Sequence, residues 1–207
     1  MKHLTNAITC RLPARRLMFA LIAGMCMIAI DTHVSAQGRW NIKLQPGINF
    51  PTGKFGSAGL NTGYGFEGTA GYRCLKHVSV YAGWGWNTFD ASDNSGLEYE
   101  ETGYTFGFQF IHPVFPSSRI SLMAGAGAIY NHVETENSNG NSIHDTKHGF
   151  GWQAETGVSF GLSKHLYLIP SLRYRVLSRE TDTDISYVKR IYDLNYFSGG
   201  LGLMWRF

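Results

Sequence analysis

Cysteine is scarce in this sequence, with three residues in 207. Two of them, Cys10 and Cys26, lie in an N-terminal stretch that has the features of a targeting segment, so a processed chain keeps Cys74 alone. A single cysteine cannot form an intramolecular disulfide. The folded protein must therefore be stabilised by the burial of side chains and by hydrogen bonds.

Long hydrophobic runs are also missing, apart from one short run at residues 17–30. Basic residues precede this run and a small-residue site ending at Ala36 follows it, which is the order of a secretory signal peptide. The run has 14 residues, fewer than the ~20 that a helix needs to cross a bilayer. We therefore predict that residues 1–36 are a cleaved signal peptide and that residues 37–207 form one domain. The absence of a later run excludes a helical membrane protein.

Net charge is the third property that the predicted mature chain lacks. The sequence has 18 basic and 15 acidic residues, and the predicted signal peptide contains four of the basic and one of the acidic residues. The remainder has 14 of each sign and therefore no net charge. Binding to nucleic acid requires a basic patch on the folded domain, so we expect no nucleic-acid partner. We also expect no cofactor.

What the predicted mature chain does contain is strict alternation of apolar and polar residues. In its first segment the even positions are apolar, and the odd positions are polar or glycine. A period of two is typical of a strand with two unlike faces, whereas an amphipathic helix repeats every three or four residues. We predict eight such strands, of which the last reverses the parity of its apolar positions. They are residues 40–50, 64–73, 78–89, 101–111, 120–131, 149–162, 166–177 and 194–207.

The two faces of the predicted strands differ in charge. The apolar face carries no charged residue in any strand, and aromatic residues lie at both of its ends. An arginine or lysine that faces lipid at mid-bilayer costs about 2–4 kcal/mol, so this separation predicts contact with membrane lipids. Glycine is frequent on the opposite face, where it makes room for Tyr81, Met123 and Tyr167 inside a narrow barrel. The charged residues of that face are Lys43, Glu67, Arg73, Glu101, Glu155, Arg173, Arg175 and Arg206.

The connections between the predicted strands alternate in length. Long polar connections occupy residues 51–63, 90–100, 132–148 and 178–193, and short ones occupy residues 74–77, 112–119 and 163–165. Transmembrane barrels have short periplasmic turns and long outer loops. We therefore predict an all-β fold, an eight-stranded antiparallel up-and-down transmembrane β-barrel. Its termini would be periplasmic and its long loops extracellular.

The charges on the inward face can pair with one another. The predicted turn at residues 163–165 makes the numbers of cross-strand partners sum to about 328, so Arg173 or Arg175 lies beside Glu155. We predict a network of ion pairs that plugs the lumen, because a closed network avoids unpaired buried charge. An ion pathway gated by the same pairs is the alternative. The predicted members are Lys43, Glu67, Arg73, Glu101, Glu155, Arg173 and Arg175.

The C-terminal strand ends in alternating apolar residues with a terminal phenylalanine. These residues are Leu201, Leu203, Trp205 and Phe207. With the alternating segments across residues 37–207, this ending resembles the small outer-membrane β-barrels, such as the OmpA-like and OmpX-like proteins. The resemblance implies a bacterial outer-membrane location, contact with outer-membrane lipids, and recognition by the barrel assembly machinery and periplasmic chaperones. It implies no particular activity, so we expect a structural or surface-contact role. We also expect the protein to be a monomer.

An enzyme is the first alternative function. Some barrels of this kind are lipid A deacylases or acyltransferases that use a serine and a histidine near the outer leaflet, and such catalysis requires the two side chains to be within hydrogen-bond reach. No candidate lies on a predicted lipid-facing position, and the sequence lacks a deacylase-like His-x-Ser-Asn run, so we predict no catalysis. The candidates are His132, His148, Ser138, Ser142 and Ser186.

A metal site in the third long connection is the second alternative. His144 and His148, with Asp145 between them, have a spacing that binds zinc when it lies on a helix. Here the residues lie in a segment rich in Asn, Ser and Gly, where solvated histidines are more common. We therefore predict no metal site.

A secreted lipocalin-like barrel is the alternative fold, because alternation alone does not say which face points inward. In that fold the apolar face would surround a ligand and the charged face would meet water. The many glycines of the charged face and the large aromatic residues of the apolar face favour the membrane barrel.

Overall fold

The computed structural model of the chain describes residues 39–56, 58–93, 95–116, 118–137, 141–181 and 190–207. The predicted signal peptide, residues 1–36, therefore lies outside the described residues. Among the described residues, no helix is long and apolar enough to cross a membrane. The strands are β1 (Trp40–Pro51), β2 (Gly63–Arg73), β3 (Val78–Asp90), β4 (Glu98–Pro113), β5 (Ile120–Glu136), β6 (Ser142–Asp145), β7 (Gly149–Gly161), β8 (Leu166–Thr181) and β9 (Arg190–Arg206).

Eight of these strands form a closed antiparallel barrel, which confirms the predicted up-and-down fold. The strands follow one another around the ring in chain order, and β1 closes the ring by pairing with β9, where Asn41 lies opposite Arg206. The short strand β6 is an addition that the sequence did not predict. It extends the sheet beside the end of β5, where Asp145 lies opposite Glu134.

Alternating side chains of each barrel strand point to opposite sides of the wall. On β4, Phe108 is 66% exposed on the outside, whereas its neighbour Gln109 is 6% exposed and faces the lumen. The reversed parity of β9 is also confirmed, because Leu203 is exposed and Met204 is buried. An apolar surface that surrounds a barrel suits hydrocarbon rather than water. The lipocalin-like alternative, which requires the apolar face inside, is therefore wrong.

Several strands continue beyond their predicted ends on the side of the long connections. β4 begins at Glu98 rather than at residue 101, and β5 runs to Glu136 rather than to residue 131. The ladder persists there, with Glu98 opposite Glu136. Backbone hydrogen bonds do not require apolar side chains, so a ladder can continue after the alternation has ended. These extensions carry polar and charged residues beyond the apolar band.

The lumen contains two apolar clusters in addition to the predicted charges. We call them the loop-side cluster and the turn-side cluster, after the connections that they lie near. The loop-side cluster contains Phe55, Phe89, Ala91, Tyr99, Ile129, Val133, Leu177, Leu194 and Tyr196. The turn-side cluster contains Met123, Ile169 and Met204, with Ile111 and Tyr167 packed against it.

Two of the short turns end in the same arrangement. The backbone N–H of Ile111 donates to the carbonyl of His77 over 2.8 Å, and Nδ1 of His77 lies 3.1 Å from the carbonyl oxygen of Ile111. After the other turn, the N–H of Arg206 donates to the carbonyl of His165 over 2.8 Å, and Nδ1 of His165 lies 2.9 Å from the carbonyl oxygen of Arg206. Each histidine thus joins the start of one strand to the neighbouring strand.

Candidate functional site in the barrel lumen

Glu155 occupies the turn-side part of the charged layer in the lumen. It lies on β7 directly opposite Arg173 of β8, which is one of the two neighbours that the parity of the hairpin allows. Its Oε1 is 3.4 Å from Nη2 of Arg173, and its Oε2 is 3.2 Å from Nζ of Lys43 on β1. All three side chains are buried, so each ion pair is shielded from solvent.

Glu67 connects two arginines across the lumen. This residue projects from β2, and its Oε1 lies 2.9 Å from Nη2 of Arg173. Its Oε2 lies 2.5 Å from Nη2 of Arg175. Arg173 and Arg175 are two residues apart on β8 and therefore face the same side. Glu67 holds their guanidinium groups side by side.

Glu101 is the third buried carboxylate, and it binds Arg175 from the loop side. Its Oε1 lies 3.4 Å from Nη1 of Arg175. The hydroxyl of Tyr196 donates to the same carboxylate, and so does the side-chain amide of Asn131. Nδ2 of Asn87 donates to Oε2 over 3.2 Å. Glu101 thus accepts hydrogen bonds from four different strands.

Neutral polar side chains extend these contacts into one connected set, which we call the lumen network. Ser171 donates to Glu155 over 2.8 Å and accepts from Gln45 over 2.8 Å. Every strand of the barrel contributes to it. Its members are Lys43, Gln45 and Asn49 on β1, Glu67 on β2, Tyr81 and Asn87 on β3, Glu101 on β4, Asn131 on β5, Gln153 and Glu155 on β7, Ser171, Arg173 and Arg175 on β8, and Tyr196 and Ser198 on β9.

The charges of the lumen network balance. Its basic members are Lys43, Arg173 and Arg175, and its acidic members are the three glutamates at positions 67, 101 and 155. A buried charge without a partner is strongly unfavourable, whereas a paired and hydrogen-bonded one is tolerated. The balance therefore explains how six ionic side chains can share a narrow interior.

Arg73 is a predicted member that the structure does not bring into this network. It is the last residue of β2 and is half-buried. In the part of the chain that the structure describes, it makes no ion pair with the three glutamates. It lies six residues from Glu67 along the strand, which is about 20 Å. The parity of a strand predicts the face that Arg73 occupies, but it does not predict the height of Arg73 in the barrel.

Arg179 is a lumen residue that the sequence analysis missed. It is fully buried, and its Nη1 donates to the carbonyls of Ser178 and Phe150 over 2.7 and 3.2 Å. The predicted strand ends at residue 177, which places Arg179 in a loop. Position 179 has the same odd parity as Arg173 and Arg175, and this parity indicates that its side chain faces the lumen.

The loop-side cluster adjoins the lumen network on the side of the long connections. Phe55 of the first long connection packs against Tyr99 and Tyr192, with ring centroids 5.4 and 5.3 Å apart. Phe89 and Tyr196 pack edge to face at 5.1 Å. Tyr196 belongs to both layers, because its ring lies in the cluster and its hydroxyl reaches Glu101.

The structure describes three of the five candidate catalytic residues, and of these it brings together His132 and His148, whose rings stack with centroids 4.3 Å apart. Ser138 and Ser186 lie outside the described residues, and Ser142 is exposed on β6. His132 lies on the outward face of β5, two residues beyond Tyr130, in the part of β5 that extends past its predicted end at residue 131. Within the described part of the chain, no serine or threonine hydroxyl hydrogen-bonds to the His132 ring.

The predicted assembly residues lie on the outer face of β9. Leu201, Leu203 and Trp205 are each about half-exposed. Trp205 stacks on His165 with ring centroids 5.7 Å apart, and the N–H of Phe207 donates to the carbonyl of Trp40 over 3.1 Å. The C-terminus therefore lies at the seam where the last strand meets the first.

A model of the outer membrane protein β-barrel domain family matches residues 17–207 of the chain. Comparison with curated protein sequences gives no match.

Solved structures of small outer-membrane proteins share the fold. Neisserial surface protein A is 14% identical, with a TM-score of 0.62, and the match covers 81% of this chain and 97% of that chain. OprG from Pseudomonas aeruginosa is 10% identical with a TM-score of 0.53, covering 82% and 97%. Outer membrane protein W of E. coli is 12% identical with a TM-score of 0.52, covering 84% and 100%. At such low identity the likeness shows the fold alone.

Proposed function

Because the chain belongs to the outer membrane protein β-barrel domain family and is therefore a bacterial outer-membrane protein, we propose that its lumen is closed to ions and that its long loops face the cell exterior. Its role in this proposal is structural or surface contact at the cell envelope. The termini then lie in the periplasm, where the assembly machinery would recognise the C-terminal residues Leu201, Leu203, Trp205 and Phe207.

The charge-balanced lumen network is the observation that carries this proposal. It uses side chains from all strands of the barrel wall, and each of its six charges has an oppositely charged partner. A conducting pore needs a continuous file of water, and wide water-filled lumens occur in barrels of 16 or more strands. In a barrel of eight strands the interior is filled by side chains. The loop-side cluster adds an apolar barrier above the charges.

The extended strands favour a role at the surface. The β4–β5 hairpin continues as a regular ladder out to Glu98 and Glu136, and β8 pairs with β9 out to Thr181 and Arg190. The β4–β5 ladder stands beyond the apolar band and presents the polar side chains of Glu98, Glu100, Glu134 and Glu136. Binding residues in proteins are often carried on connections that a rigid scaffold positions.

Planar-bilayer recording tests the closed lumen. We expect the purified wild-type barrel to show no large, steady conductance. The variant with Glu67→Ala and Arg175→Ala removes one opposite-charge pair and should show measurable openings, because it empties space at mid-lumen without changing the net charge. The double variant Lys54→Ala with Asp93→Ala, in exposed loop positions, is the matched control and should behave as the wild type does.

A large, steady conductance from the wild-type protein would overturn the proposal in favour of a narrow channel. The enzyme alternative is measured separately by lipid A mass spectrometry of cells with and without the protein. Loss or transfer of an acyl chain on expression would replace the structural role with a catalytic one.

A further inference from the structure

We propose that His132, Glu134 and Asp145 form a binding site for a divalent transition metal such as Zn²⁺. The site lies outside the lumen, on the outward side of the strand extensions next to the long connections. It is independent of the closed-lumen proposal, because none of its residues belongs to the lumen network.

The three side chains are brought together by one strand and its short neighbour. His132 and Glu134 are two residues apart on β5 and therefore point to the same side of the wall. Asp145 ends β6 and lies directly opposite Glu134 in the ladder. The arrangement depends on backbone pairing, so the three ligands are positioned by the sheet.

The distances between the ligand atoms suit a small metal ion. One ligand atom from each of the three residues lies within 4.8 Å of the other two. Nδ1 of His132 is 2.8 Å from Oδ1 of Asp145 and 3.7 Å from Oε1 of Glu134. Zinc bonds of 2.0–2.2 Å in a tetrahedron place neighbouring ligand atoms about 3.3 Å apart. The two distances from His132 lie on either side of that value, and all three ligand atoms are close enough for one ion to contact them after the side chains adjust.

The ligand types select the class of metal. One imidazole nitrogen and two carboxylate oxygens suit zinc and similar transition metals. Calcium and magnesium prefer oxygen ligands alone. Three protein ligands leave a fourth position for water or for an external group.

Neighbouring rings restrict the His132 side chain. The ring of His148 stacks on that of His132, with centroids 4.3 Å apart and planes at 18°. His148 in turn packs against Tyr130 with ring centroids 5.2 Å apart. Groups that fix the orientation of a ligand raise metal affinity, because less freedom is lost on binding.

The surrounding carboxylates make the surface attractive to a cation. Glu100 lies opposite Glu134, and Glu98 lies opposite Glu136, although like charges directly opposite in a ladder destabilise it. A bound divalent cation would offset this repulsion and would tie β6 to β5.

Zinc titration by isothermal calorimetry tests the proposal, with the refolded barrel in detergent and without a polyhistidine tag. We expect one Zn²⁺ per chain, with little competition from Ca²⁺ or Mg²⁺. The variants His132→Gln and Asp145→Asn should each raise the Kd for Zn²⁺ by more than about tenfold. The variant His144→Asn, one residue from the site, is the control and should leave the Kd within about twofold of the wild-type value.

Equal affinity in the wild type and in both ligand variants would mean adventitious binding only and would overturn the proposal. Absence of Zn²⁺ binding by the wild type would overturn it as well. Far-UV circular dichroism of each variant shows whether the barrel has folded, so a loss of binding in a folded variant reports on the site itself.

Discussion

At the residue scale, Tyr81 shows how glycine shapes the lumen. Its hydroxyl accepts a hydrogen bond from Gln153 over 3.1 Å. A Cβ atom at Gly127 would lie 2.5 Å from that hydroxyl oxygen, and one at Gly107 would lie 2.9 Å from it. Both distances are shorter than real Cβ contacts, so these two glycines provide the space that the sequence predicted for a large inward residue.

Gly127→Val should destabilise the barrel by about 1–3 kcal/mol, which is the usual cost of overpacking. The added side chain would press on Tyr81 and on the carbonyl oxygen of Phe106, which would lie 2.7 Å from the new Cβ. Gly68→Val is the matched control, because a Cβ there meets nothing within 4 Å. Urea unfolding in lipid vesicles measures both variants. Equal stability of the two variants would contradict this account of the glycines.

At the element scale, the outer part of the β4–β5 hairpin contains repulsion that the strand pairing has to overcome. Two pairs of glutamates lie directly opposite each other in the ladder, namely Glu98 with Glu136 and Glu100 with Glu134. Partial burial and, beside it, the carboxylates of Glu100, Glu98 and Glu134 raise the pKa of Glu136, so the folded hairpin favours the protonated carboxyl. The repulsion is therefore present in full above the raised pKa and disappears as the pH falls below the ordinary carboxyl value.

Glu136→Gln should slow amide hydrogen exchange at the outer end of β4 and β5 by about two- to fivefold at neutral pH, because one opposed pair of charges is removed. The measurement uses EDTA, so that no metal contributes. The difference from the wild type should vanish at acidic pH, where the glutamates are protonated. The control is Asp93→Asn, which lies in an exposed loop. There Asp93 accepts a hydrogen bond from the N–H of Ser95 over 3.1 Å. Slower exchange from that substitution would point to a general charge effect instead.

At the scale of the whole molecule, the barrel has two unlike ends. One end carries three short turns, including the one with the exposed Cys74. The other end carries the long connections, the strand extensions and the carboxylates. The apolar band lies between these ends, and the charges of the lumen are enclosed at its middle. This difference between the two ends of the barrel predicts a single orientation in the membrane.

Labelling of intact cells with a membrane-impermeant maleimide tests that orientation. Cys74 is predicted to face the periplasm, so the wild-type protein should stay unlabelled until the outer membrane is permeabilised. Asp93→Cys, made together with Cys74→Ser, should react on intact cells, because position 93 lies in an exposed long connection. Labelling of Cys74 alone on intact cells would reverse the proposed orientation.

The sequence determined the face of each strand that meets lipid and the residues that face the lumen. Both follow from the period of two, which is local, so Phe108 and Gln109 could be assigned without knowledge of the rest of the chain. The same local rule found the parity reversal at Leu203 and Met204. It placed the ends of β4 and β5 too early, because an amphipathic pattern marks the apolar band and not the end of the hydrogen-bonded ladder.

Only the tertiary structure decided which of these residues meet. Arg175 and Glu67 are 108 positions apart in sequence, and their contact depends on the height at which each strand crosses the lumen. That height is set by the stagger of the closed barrel, which also keeps Arg73 away from the glutamates. The pairing of Asp145 with β5 likewise required a strand of four residues, too short for its alternation to be distinguished from a loop. The period of two therefore specifies which face of the wall each side chain occupies. Closure of the barrel specifies where that side chain lies around the barrel and at what height along its axis.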